Sequence, residues 1–169
     1  MKVLMLNPPF LPKYSRSSRS PAVTKSGTIY YSLWLSYATG VLEKAGHEVL
    51  FIDAPAEGLE LSQIRNRIEN FSPAMAVFDT STPSINSDIK VLEEVKSWFA
   101  GKLVTVLVGT HPSALADETM ALSPSVDVIA RREYDYTLRD LADRLHAGNV
   151  DFTEVLGITY RDGTEIKRT

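Results

Sequence analysis

Five short apolar runs, each followed by a segment with helical spacing, constrain this chain more than any other feature. Val3–Leu6, Glu48–Ile52, Ala74–Phe78, residues 103–108 and Val126–Ala130 are too short for helices and are bounded by Gly, Pro, Asn or Asp. Between them apolar side chains recur at 34, 38, 41, 42 and 45, then at 61, 64, 68 and 71, then at 85, 89, 92, 95 and 99. That spacing predicts helices over Tyr30–Ala45, Leu61–Phe71 and Ile85–Phe99, each with one buried face. Ser113–Leu122 and Tyr136–Leu145 complete the alternation. Strands that are apolar throughout belong inside a parallel sheet covered on both faces. Right-handed crossovers then favour a flavodoxin-like, doubly wound five-stranded α/β sheet of order 2-1-3-4-5.

In that order the ligand crevice lies at the carboxyl ends of strands 1, 3 and 4, around the switch between strands 1 and 3. Four polar loops converge on this rim: Asn7–Phe10, Asp79–Pro83, Gly109–Pro112 and Arg131–Asp135. Strand-to-helix turns are polar in any case, because they cap helices, with Ser84 or Thr82 suited to one helix and Asp135 to another. The functional reading is that Thr80, Ser81 and Thr82 offer hydroxyls and free amides to a polar ligand at helix N-termini. Gly109 would permit a positive φ or the close approach of a ligand to the backbone. His111 has no second ligand: His47 falls on the opposite rim and His146 late in a helix, so a metal site is weakly supported. Residues 8–27, rich in Pro, Ser, Arg and Lys, form a longer loop than a strand-to-helix connection needs, which marks it as either functional or disordered.

Composition narrows the classes. At 169 residues with 44% hydrophobic and 23% charged side chains, the chain suits one globular domain. A net charge of −3 with scattered basic residues speaks against a nucleic-acid partner. No apolar window reaches the ~20 residues of a membrane span, and the N-terminus lacks a signal-peptide core, so a cytoplasmic location is expected. With no cysteine, the chain offers no disulfide, no thiolate zinc site and no thiolate for an iron–sulfur cluster. No G-x-G-x-x-G follows the first strand, and neither a P-loop nor a G-x-S-x-G elbow occurs. A phosphoacceptor receiver would want acids after the first strand. Asp79 ends the third strand as such a domain requires, but Asn7-Pro8-Pro9-Phe10 supplies none of the others. The residues show no self-contained catalytic set.

Four pieces in order, MKVLMLNPPF, LVGTHPSA, ARREYDYTLRDL and LGITYRDGTEI, resemble the N-terminal cobalamin-binding domain of cobalamin-dependent radical S-adenosylmethionine enzymes. The resemblance covers nearly the whole chain. It implies a cobalamin (vitamin B12) module spanning residues 1–150. Residues 151–169 would form a hairpin linker, turning at Asp162-Gly163, toward a missing domain that holds the iron–sulfur cluster and S-adenosylmethionine. The implied site residues are Pro9, Phe10, Thr80, Ser81, Thr82, Gly109, Thr110, His111, Pro112 and Glu133. Related mutases place an axial histidine in D-x-H-x-x-G after the first strand. Here that position reads N-P-P-F-L-P, which implies base-off cobalamin without an axial histidine from this chain. Two departures stand out. Arg132-Glu133-Tyr134-Asp135 replaces a G-E-G-E-like run, and Thr110 replaces the second of a glycine pair. The implied function is to present cobalt for methyl transfer or a related radical step on a small-molecule or lipid-like substrate, the fragment being inert alone. The alternative is a cofactor-free flavodoxin-like interaction or sensing domain.

Overall fold

The structure is a computed structural model that describes residues 1–16, 22–23 and 31–169. Residues 17–21 and 24–27 of the long loop therefore lie outside the described residues, as does the predicted start of the first helix at Tyr30. In chain order the elements are β1 (Lys2–Asn7), β2 (Tyr14–Ser15), β3 (Ala22–Val23), α1 (Leu33–Lys44), β4 (Glu48–Asp53), α2 (Ala54–Glu57), α3 (Leu61–Phe71) and β5 (Met75–Thr80). Then come α4 (Ile85–Trp98), β6 (Val104–Gly109), α5 (Thr110–Ala114), α6 (Ala116–Leu122), β7 (Val128–Ala130), α7 (Asp135–His146), β8 (Ile158–Asp162) and β9 (Glu165–Arg168).

The main sheet runs β4-β1-β5-β6-β7-β8-β9. Its first five strands are parallel and follow the predicted 2-1-3-4-5 order. The predicted hairpin continues the same sheet, with β8 antiparallel to β7 and β9 antiparallel to β8. A separate β2–β3 ladder occurs within the long loop, where the sequence shows no periodicity.

Side chains alternate across each strand, so one sheet serves two cores. Val3, Met5, Met75, Val77, Val106 and Val108 face α1 and α7, meeting Leu35, Ala38, Leu42, Leu138 and Leu141. Leu4, Leu6, Ala76, Phe78 and Leu107 face the other layer, meeting Ile64, Ile68, Ile89, Leu92 and Met120. Each such Leu or Ile contributes about 1.5–3 kcal/mol by leaving water.

Three local details differ from the sequence reading. The predicted stripe put Trp34 inside α1, but Leu35 takes that place and Trp34 stands 57% exposed. The predicted helix over Ser113–Leu122 is two helices broken at Leu115 (φ −126°, ψ 54°), where side-chain hydroxyls compete for backbone carbonyls: Ser113 Oγ donates to the Gly109 carbonyl and Thr119 Oγ1 to that of Leu115. Asp135 is the first residue of α7, not its cap; Tyr134 holds the cap position and makes no side-chain capping bond.

Candidate functional site: a cleft at the carboxyl edge of the sheet

A cleft of about 630 Å³ opens where β5 and β6 end, between the N-terminal ends of α1 and α7. Its floor is Asp79, Thr80 and Gly109; Thr110, Ser113 and Ala114 come from α5, and Trp34 stands at its α1 side. Arg132, Glu133, Tyr134 and Asp135 line it from the loop before α7, and Arg16 reaches it from the segment after β2.

Gly109 shapes this floor. Its φ of +120° is open only to glycine, and a Cβ there would lie 2.1 Å from the Thr80 carbonyl oxygen and 3.2 Å from Asp79 Oδ1. The predicted positive φ is present. The atoms that crowd the missing side chain belong to the neighbouring strand, which pairs Thr80 with Gly109.

Beside the cleft, the expected crevice between the ends of β1 and β5 is filled from within. Arg16, 6% exposed, donates to Asn7 Oδ1 (2.7 Å), the Pro8 carbonyl (2.8 Å) and Asp88 Oδ1 (2.5 Å). Asp88 Oδ2 accepts from Thr80 Oγ1 and Ser84 Oγ, both at 2.6 Å. Burial pushes the Asp88 carboxyl above its ordinary range, against the pull of Arg16 and the two hydroxyls. Ser81 Oγ joins this network through Ser84 Oγ (2.8 Å) and the Tyr14 hydroxyl (2.9 Å). Asn7 also donates to Asp53 Oδ1 (2.7 Å) and Ser32 Oγ (3.0 Å), so its amide is fully engaged. Ser84, expected as a helix cap, makes no side-chain capping bond, because its hydroxyl serves Asp88 instead.

Of the ten residues singled out in the sequence, Thr80, Gly109, Thr110 and Glu133 line the cleft. Ser81 is held in the hydroxyl network. Thr82 is exposed and meets His111 Nδ1 at 3.2 Å on the rim. Pro9 and Pro112 are buried, and Phe10 packs edge-on to Tyr14 with ring centroids 4.8 Å apart. Among the described residues, no three His, Cys, Asp or Glu side chains are grouped to hold a metal ion. No helix among them is long and apolar enough to cross a membrane.

Two lining or supporting residues escaped the sequence reading for different reasons. Asp88 carried a signal, since an acid in phase with Ile85, Ile89 and Leu92 falls on the buried face of α4. Arg16 carried none, lying in an aperiodic loop. Where the related run has its first glycine, Arg132 itself adopts φ +63°, and its amide donates to Ser113 Oγ (2.8 Å). Tyr134, at the second, has φ −108° and needs no glycine.

A carboxyl-edge cleft floored by a glycine is a common feature of doubly wound sheets, and comparison with known families decides which kind this is. The family model of the B12 binding domain matches residues 19–142. The chain belongs to the B12 binding domain family. This B12-binding domain is 27% identical, over 99% of its length, to an uncharacterized methyltransferase of Pyrococcus horikoshii, and spans 34% of that protein. It is 30% identical, over 80% of its length, to the anaerobic magnesium-protoporphyrin IX monomethyl ester cyclase of Cereibacter sphaeroides, spanning 22% of that protein. The domain thus covers about a third or less of the curated relatives it matches. Among solved structures, OxsB, a cobalamin-dependent S-adenosylmethionine radical enzyme with aqua-cobalamin bound, superposes with a TM-score of 0.77 at 20% identity, over 98% of this domain and 22% of that chain. TsrM, a radical S-adenosylmethionine methyltransferase from Kitasatospora setae, superposes with a TM-score of 0.79 at 15% identity, over 99% of this domain and 30% of that chain. At these identities the likeness is one of fold. It agrees with the family that the sequence motifs resemble.

Proposed function

We propose that the cleft receives the nucleotide tail of a base-off cobalamin, leaving the corrin on the carboxyl edge of the sheet to face a radical S-adenosylmethionine domain. The observation that carries this reading is the glycine-floored cleft between α1 and α7 in a chain of the B12 binding domain family. The residues present suit such a guest. Gly109 keeps the floor free of a side chain, Thr110 brings a polar group to its edge, and exposed Trp34 offers an aromatic face for a planar base. The loop after β1 carries no histidine in sequence, and Asn7 is committed to Asp53, Ser32 and Arg16, so a cobalamin bound here would take no axial histidine from this loop.

When bound, the corrin supplies the cobalt-centred methyl or radical chemistry, and the protein contributes binding, orientation and exclusion of water. Gly109, lying against the Thr80 backbone, would set the depth of the tail. Glu133 and Arg132 stand at the mouth, where the corrin side-chain amides would lie. Iron–sulfur cluster and S-adenosylmethionine would belong to a further domain, with the β8–β9 hairpin as the join, because this chain has no cysteine to ligate a cluster. The substrate would be a small or lipid-like molecule handled in the cytoplasm by the assembled enzyme.

The test is retention of hydroxocobalamin through gel filtration, followed by the visible spectrum. Retained corrin with a base-off spectrum is expected. A folded chain that retains none, together with a longer chain that also retains none, would remove the reading and favour a cofactor-free interaction domain.

A further inference from the structure

The floor of the cleft holds a carboxyl group that the proposed function leaves without a role. Asp79 is 8% exposed, lines the cleft, and has no side-chain partner among the described residues. Strand alternation sets its direction: it follows Met75 and Val77 on the β5 face that packs on α1 and α7. Thr80, next in sequence, points to the opposite layer, where its hydroxyl meets Asp88.

A buried carboxylate is expected to have a counter-ion, and none is free among the described residues. Arg16, the cation facing it among the described residues, is already paired with Asp88 at 2.5 Å and donates three times more, to Asn7, Pro8 and Ser84. Among the described residues, the other titratable groups around Asp79 are acidic: Asp88 on α4, Asp53 at the end of β4, and the Tyr134 phenol before α7. The charged residues nearer the mouth are Arg132, Glu133 and Asp135. Among the described residues, the Thr80 backbone amide alone hydrogen-bonds the carboxyl.

We propose that Asp79 is held as the neutral acid and donates its O–H to an uncharged acceptor atom of the bound corrinoid, a ring nitrogen of the displaced lower base or the carbonyl oxygen of a corrin side-chain amide. The inference rests on the cobalamin reading and adds a specificity residue to it. A phosphate or other anion would meet the wrong partner here once the acid ionised, whereas a neutral nitrogen or carbonyl accepts the proton-bearing oxygen directly. Burial, opposed by Arg16 and reinforced by Asp88 and Asp53, raises the group to about 7. The donor is therefore present in mildly acidic solution and lost above neutrality.

The experiment titrates binding against pH. Calorimetry in the dark would follow methylcobalamin, whose carbon ligand does not titrate, between pH 6 and pH 8. Wild-type affinity is expected to fall roughly tenfold over that range, as one ionisation centred near neutrality requires. Asp79→Asn keeps an N–H donor and should bind with little pH dependence. Asp79→Leu should bind weakly at both ends, with melting curves confirming that both variants are folded. Methylcobinamide, which lacks the lower base, separates the two acceptors. Loss of the pH dependence with it assigns the ring nitrogen, and persistence assigns an amide. A carbon-13 titration of the ligand-free protein, with the Asp79 signal identified by its absence from Asp79→Asn, should show a midpoint near 7. Wild-type binding that does not vary with pH, or a carboxyl midpoint below 5, would overturn the assignment while leaving the cobalamin reading intact. No binding of either corrinoid at any pH, by this chain and by a longer one, would remove both.

Discussion

Replacing Gly109 by alanine would drive a methyl group to 2.1 Å from the Thr80 carbonyl oxygen while demanding a φ of +120° from an L-residue. Neither strain can be relieved without moving β5 or β6, because Thr80 and Gly109 are register partners in the middle of the sheet. The expected destabilisation is at least about 3 kcal/mol by urea unfolding, with weaker corrinoid retention in whatever folds. A loss below about 1 kcal/mol would show that the strand ends tolerate a side chain. The sequence placed Gly109 at a strand end beside the rim, and its positive φ was foreseeable from that. What crowds it was not, because the partner is 29 residues away and is chosen by strand order. His111 illustrates the converse. It drew notice as a possible ligand, and in the structure its ring meets Thr82 Oγ1.

At the scale of elements, the β8–β9 hairpin is more than a tail. Ile158 and Tyr160, with Phe152 and Val155 before them, sit in the core shared by α1 and α7. Arg131 Nη2 donates to the Ile158 and Thr169 carbonyls, and Arg161 Nη2 donates to the Met120 carbonyl at 2.8 Å, binding the hairpin to α6 and β7. Re-exposing four core side chains costs on the order of 6–12 kcal/mol, which is comparable with the whole stability of a domain this size. Truncation after Asn149 should therefore abolish a cooperative thermal transition by circular dichroism and bring dye binding to exposed apolar surface. A truncated chain melting within a few degrees of the full one would contradict this. The Asp162-Gly163 turn made the hairpin legible in the sequence. Its pairing with β7 was not, since an antiparallel strand can join a sheet at either edge. Elements with strong periodicity, such as α3 and α4, were also legible, whereas β2, β3 and the four-residue α2 were too short to carry a pattern.

Across the whole molecule, pH acts with one sign through the buried carboxyls Asp79 and Asp88, both raised by burial, and with the opposite sign through His47. Asp79 binds its proton with a midpoint of about 7 in the folded state and 3.8 in the unfolded state. Between those values the folded protein holds the extra proton, so stability falls as pH rises through the window and the loss is complete above 7. His47, on the opposite rim between the Met1 amine (3.2 Å) and Asp143 (3.1 Å), is lowered by burial and by the N-terminal charge. It binds its proton less readily folded than unfolded, so its contribution is lost as pH falls below 6.5 toward its lower folded value. The difference between Asp79→Asn and wild type isolates the first effect. The variant should gain stability relative to wild type by on the order of 4 kcal/mol between pH 4 and pH 8, read from urea midpoints. A constant difference across that range would mean that Asp79 is ionised throughout.

Hydrophobic periodicity by itself determined the five-strand alternation, the order of the parallel sheet and the edge on which a ligand site must lie, since these follow from burying apolar faces with short right-handed connections. Tertiary structure decided where on that edge the cleft opens. Arg16, from a loop without pattern, reaches Asp88 on α4 and closes the crevice between β1 and β5. That leaves the space between α1 and α7, over Gly109 and beside Asp79, as the open site. A long-range ion pair of that kind depends on which loops meet in space, and local sequence does not encode the meeting.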